Sequence, residues 1–111
     1  MSKVLLMITS SPRSMEAQRA FHLARTLHAQ RRTVSVVLLQ DAVLAAAGNG
    51  PAQDPDGLTM LVPRGVSVYV CEHDLTLRGF APDMIGGAQA VNDQRIVDLM
   101  VADDTRTFGC F

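Results

Sequence analysis

Residues 4–8 form a continuous apolar run, Val-Leu-Leu-Met-Ile, and no other stretch restricts the fold as strongly. A strand with one wet face alternates apolar and polar side chains. A run without alternation is expected of a strand covered on both sides in a parallel sheet. Residues 33–39 and 66–70 are two further runs rich in β-branched residues. Between the first two runs, Ala17, Ala20, Phe21, Ala24, Leu27 and, less strictly, His28 follow helical spacing, which predicts one long amphipathic helix reaching to about Arg31. Ser10-Ser11-Pro12 supplies the turn before it, with a hydroxyl cap and a proline suited to a first helical position. Strand, helix, strand in that order implies a right-handed parallel crossover and an α/β domain.

A chain of 111 residues is expected to be one domain, residues 1–111. Hydrophobic residues make up 48%, charged residues 19%, and the net charge is −1, the balance of an ordinary globular protein rather than a disordered, coiled-coil or membrane chain. A direct nucleic-acid binder needs a clear Lys/Arg excess on some face. Arg13, Arg19, Arg25, Arg31 and Arg32 do concentrate positive charge early, but acidic residues elsewhere cancel it, and the cluster reads as a solvated helix face. The short opening apolar run is far below the length of a membrane span or a signal-peptide core, so a cytoplasmic protein is expected. Two cysteines, Cys71 and Cys110, are too few for a disulfide framework, and neither a CxxC pair nor zinc-ligand spacing is present. No metal and no cofactor is expected; Gly86-Gly87 lacks the dinucleotide-binding pattern.

The third β-prone run ends at Cys71, after which Glu72-His73-Asp74-Leu75-Thr76-Leu77-Arg78-Gly79 suits a short helix stopped by glycine. A thiol at the C-terminal end of a parallel strand lies where α/β folds collect ligands and catalytic groups. The unpaired amides of a helix starting there point at the sulfur and favour a thiolate, so an accessible, reactive Cys71 is expected. Elsewhere, residues 41–47 read as a short helix capped by Asp41 and stopped by Gly48. Residues 48–57 read as a loop, either a tolerated insertion or a flap, and residues 58–62 as one helical turn. Residues 84–87 suit a weak fourth strand or extended loop. Asn92 caps a final helix to about Ala102 with Ile96, Val97, Leu99, Met100 and Val101 on its buried side, and residues 105–108 form a last strand.

In that layout the chain resembles the DsrE-like sulfur-relay family of DsrE and TusD type. The resemblance rests on Thr9-Ser10-Ser11-Pro12, on Leu38-Leu39-Gln40-Asp41-Ala42-Val43, on Val68-Tyr69-Val70-Cys71 followed by Leu77-Arg78-Gly79, and on Ile96-Val97-Asp98-Leu99-Met100 running to Thr107-Phe108. It implies a flavodoxin-like three-layer sandwich with a mainly parallel sheet of about five strands, assembled as homotrimers or hexamers. It also implies that Cys71 carries sulfane sulfur as a persulfide, exchanged with a TusA-like carrier or another persulfide partner. The chain departs from TusD-type members in having Glu72-His73-Asp74, rather than small apolar residues, after the cysteine. The carboxylates oppose a thiolate and a protonated His73 favours it.

Each of these residues also has a plainer reading. Cys71 reads as the carrier thiol or as an inert core cysteine of a non-catalytic structural or binding subunit. Cys110 is a second thiol or an incidental residue near a chain end. His73 polarises the sulfur or is simply solvated, and Arg78 holds an anionic donor or offsets its helix dipole. His22 and His28, six apart on one helix, do not share a face for a metal. A flavin- or nucleotide-binding protein has only the strand order in its favour.

Overall fold

Five strands, β1 (Lys3–Ile8), β2 (Thr33–Leu38), β3 (Ser67–Cys71), β4 (Ala88–Val91) and β5 (Thr105–Phe108), line up in the order β4-β3-β2-β1-β5. Every neighbouring pair is parallel. The structure is a computed structural model and describes residues 3–46, 61–79, 87–109 and 111. The chain lays down β1 to β4 in one direction across the sheet and then returns to place β5 on the far side of β1, so the topological switch point falls between β1 and β5.

Among the described residues three α-helices connect the strands: α1 (Met15–Ala29), α2 (Glu72–Leu77) and α3 (Asp93–Met100). Register and alternation assign the faces. Leu6 and Phe108 are partners in register and line an apolar groove with Leu23 and Leu27, so α1 covers their side of the sheet. Thr107 points the other way and donates its hydroxyl hydrogen to the Met100 carbonyl, so α3 lies on the opposite side. The result is the three-layer, flavodoxin-like α/β architecture expected from the sequence. Its core is aliphatic: Leu5, Leu6, Ile8, Val36, Val37, Leu38, Val68 and Val70 from the sheet meet Phe21, the largest fully buried side chain, from α1.

Several boundaries differ from the sequence expectation, each for a local reason. The cap of α1 is Ser14, whose hydroxyl accepts the Ala17 N–H at 3.1 Å, and not the earlier Ser10-Ser11 pair. The segment after β2 is a 3-10 helix, Gln40–Ala45, whose N-cap Leu39 makes no side-chain cap bond. Asp41 lies inside it, paired with Arg78 instead of capping. The fourth strand lies at Ala88–Val91, just beyond the glycines that the sequence suggested. On α3 only Ile96 is buried; Val97 and Val101 are 50% and 68% exposed, contrary to the expected inward face. The loop at 48–57, residues 58–60, residues 84–86 and Cys110 lie outside the described residues.

At the switch point the chain engages its own donors. The Thr9 and Ser10 N–H groups donate to the Phe111 carbonyl oxygen at 2.8 and 3.0 Å, and the Thr9 hydroxyl donates to the same oxygen at 3.3 Å. The backbone passes close to Met7 on the way. A Cβ on Gly109 would lie 2.9 Å from that of Met7, closer than side-chain carbons approach, so glycine is required there.

Candidate functional site

Cys71 is the last residue of β3 and the N-cap of α2, as the change of pattern in the sequence predicted. It lies on the α3 face of the sheet, the same side as Tyr69, and is paired in register with Val91. The sulfur therefore sits among the β3 exit, the start of α2 and the start of α3, two strands away from β1 and the switch point. The Cys71 side chain makes no cap hydrogen bond, but the backbone N–H groups of Asp74 and His73 at the helix start act in favour of the anion.

The sulfur is nevertheless not the accessible one expected. Cys71 is only 3% exposed, and burial, the largest influence, pushes its thiol above the ordinary value because a thiolate loses its hydration there. The Asp74 carboxylate adds to this by favouring the protonated thiol over its negatively charged form. In the resting protein Cys71 is a covered thiol, not an exposed thiolate.

Asp74 is the site residue that sequence reasoning did not single out. One of its carboxylate oxygens accepts the backbone N–H of Gln40 at 2.8 Å, and the other lies 3.8 Å from the Arg78 guanidinium. Arg78 donates in turn to the Asp41 carboxylate at 2.9 and 3.2 Å and to the Asp74 carbonyl at 3.2 Å. The start and end of α2 are thus tied to the 3-10 segment that follows β2. Arg78 is committed to this network, and its bond to a carbonyl of the last turn also offsets the helix dipole. Gly79 (φ 78°) stops α2 in the left-handed region that glycine enters without strain. A signal for Asp74 was present in the sequence: it stands three residues after the cap, the spacing at which a capping-box side chain turns back toward the helix start.

His73 is exposed. With Glu72, Thr76, Asn92 and Asp93 it lines a cleft of about 290 Å³ between the N-termini of α2 and α3; Cys71 is not part of the lining. Asn92 also caps α3 by accepting the Arg95 N–H at 2.9 Å. Among the described residues no cluster of His, Cys, Asp and Glu has a metal-binding arrangement. No helix of the described residues is long and apolar enough to cross a membrane.

An all-parallel doubly wound sheet with a cysteine at a strand exit defines a class of small α/β proteins. Within that class the chain belongs to the DsrE/DsrF-like family, whose model matches residues 2–105. Its fold is similar to the crystal structure of the ychN protein from E. coli, with a TM-score of 0.78 and 24% identity over 97% of this chain and 100% of the other. It is also similar to MTH1491, a protein of unknown function from Methanobacterium thermoautotrophicum, with a TM-score of 0.80 and 18% identity over 97% of this chain and 98% of the other. None of the curated protein sequences matches the chain.

Proposed function

We propose that the protein is a sulfur-relay subunit that carries sulfane sulfur as a persulfide on Cys71 and passes it between partner proteins. Membership of the DsrE/DsrF-like family supports the relay role, and one observation carries the assignment to Cys71: it is at once the last residue of β3 and the N-cap of α2, directly before the residues Glu72 and His73 that line a cleft. In the transfer step the Cys71 thiolate attacks the outer sulfur of a donor persulfide, R–S–SH. The bond between the two donor sulfurs breaks, R–S⁻ leaves with its electron pair, and Cys71 retains the outer sulfur as Cys–S–SH. The reverse reaction delivers it, so neither metal nor external oxidant is consumed. A TusA-like carrier or another persulfide protein is the partner on this reading, and the reducing cytoplasm is the compartment in which an unpaired thiol persists.

Incubation with a persulfide or polysulfide donor followed by mass spectrometry tests the assignment. The wild-type chain is expected to gain a sulfur adduct that a reducing agent removes, and Cys71→Ser to gain none while keeping its fold. An undiminished adduct in the variant refutes Cys71 as the carrier.

A second reading, a non-catalytic subunit of the same fold with an inert Cys71, is favoured by the burial of that residue. Labelling that requires denaturant, with no sulfur uptake in the wild type, would establish it. Both readings include self-assembly into a homotrimer or hexamer, for which the exposed apolar side chains of α3 are the support.

A further inference from the structure

We infer that the apolar groove between α1 and β5 binds a small anionic amphiphile, a ligand with a medium-length apolar body and one carboxylate or sulfonate head. The site goes beyond the relay reading and does not depend on it: the groove lies on the α1 side of the sheet, whereas Cys71 faces the α3 side.

The opening follows from the strand order. β5 is an edge strand, and α3, the helix that leads into it, lies on the opposite side of the sheet. On the near side α1 packs on β1 and β2 rather than on β5. What remains is a slot of about 280 Å³, floored by Leu6 and walled by Leu23 and Leu27 from α1 and by Phe108 and Phe111. Phe108 is 48% exposed, so an aromatic wall stands in water and gains by being covered.

Volume and charge define what covers it. At about 30 Å³ per heavy atom, the share of a water molecule in the liquid, the slot takes roughly nine atoms. That suits an alkyl chain or a ring system, not a partner helix about 10 Å across. One mouth of the groove is cationic. Arg106 lies two residues before Phe108 on the same face of β5, paired in register with Val4. α1 runs back from the end of β1 to the start of β2, which brings Gln30, a lining residue, to that same end, followed by Arg31 and Arg32. Gln30 and Arg106 are both exposed and offer an amide and a guanidinium to an anionic head. The acids nearest this mouth in sequence are Asp103 and Asp104, and Asp104 lies 3.7 Å from the Lys3 ammonium. At the far end Arg19 stands one turn before Leu23 and is offset by Glu16, three residues earlier. The charge balance therefore places the head at Gln30 and Arg106, with the tail running past Phe108 toward Phe111.

Titration of the full chain with decanoate, whose tail is about as long as the slot allows, tests the inference by calorimetry. Decanoate is expected to bind saturably, once per chain, and to shift the methyl resonances of Leu23 and Leu27. Decyltrimethylammonium, the same tail with a cationic head, is expected to bind several-fold more weakly. Arg106→Glu is expected to weaken decanoate several-fold without weakening the cationic probe. Thr26→Trp, which sets a ring into the slot from an exposed helical position, is expected to abolish binding of both; if it fails to fold, Phe108→Ser reads the same loss. Absence of saturable binding to the parent overturns the inference, as does equal affinity for the two heads or decanoate binding unchanged in Arg106→Glu. A parent that ignores decanoate while Thr26→Trp breaks up an assembly also overturns it and makes the groove a contact between copies. Sulfur uptake by Thr26→Trp is expected to match the parent, so either reading can fail while the other stands.

Discussion

At Cys71 two opposing influences share one atom, and the balance has a consequence for stability as well as reactivity. The folded chain binds the thiol proton more tightly than the unfolded chain does, since burial raises the native value. Its contribution is therefore fully present below the ordinary cysteine value, near pH 8.5, and is lost as pH rises toward the higher native one. Chemical denaturation at several alkaline pH values is expected to show stability falling for the wild type, and falling less for Cys71→Ser, where nothing titrates. The position of this cysteine could be read from the chain because a β-branched run gives way to helical spacing at that residue. So could the amides that meet it, since they follow from helix geometry alone. The sign of the net effect could not, because burial depends on residues distant in sequence, such as Val91, its partner in register. Asp74 was visible only as one of two nearby acids, and its distinction comes from a bond to Gln40 thirty-four positions away.

Among the helices, α1 depends on one aromatic side chain and one hydroxyl. Phe21 is fully buried and is flanked by the small residues Ala17, Ala20 and Ala24, so little nearby can collapse into a vacated space. Phe21→Ala is expected to cost about 3–5 kcal/mol, read as a lowered denaturant midpoint. Ser14→Ala is expected to cost about 1 kcal/mol by the same measurement, through loss of the bond to the Ala17 N–H. Strand β1 announces itself by an unbroken apolar run and β2 and β3 by β-branched residues, but β4 does not. Ala88-Gln89-Ala90-Val91 has little intrinsic strand preference and is held by its pairing with β3. Three serines precede α1, all suitable as caps, and only the folded path of the chain selects the last. The 3-10 segment after β2 was predicted as a helix with Asp41 as its cap; Arg78, contributed from a later element, recruits that carboxylate instead.

Across the molecule, the two helical layers are unequal: α1 presents four buried side chains to the sheet, whereas α3 presents Ile96 alone and turns Val97 and Val101 outward. Those two side chains stand one helical turn apart on a single face. If the proposed homotrimer or hexamer forms through this face, Val97→Asp combined with Val101→Asp is expected to convert it to monomers, measured by light scattering, and to leave the far-ultraviolet circular dichroism unchanged. An assembly of undiminished mass would place the subunit contact elsewhere. The apolar pattern of α3 was read as core because periodicity reports a sticky face and not what covers it.

One property of the strand order reaches beyond the finished molecule. The outer flank of β1 is completed by β5, which leaves the ribosome after the other four strands of this sheet. During synthesis the first strand therefore waits with one row of amides and carbonyls unmatched, open to adoption by a sibling chain on the same polysome. Ribosome stalling shortly before Thr105 should for that reason yield tangled nascent chains more readily than stalling after Phe108.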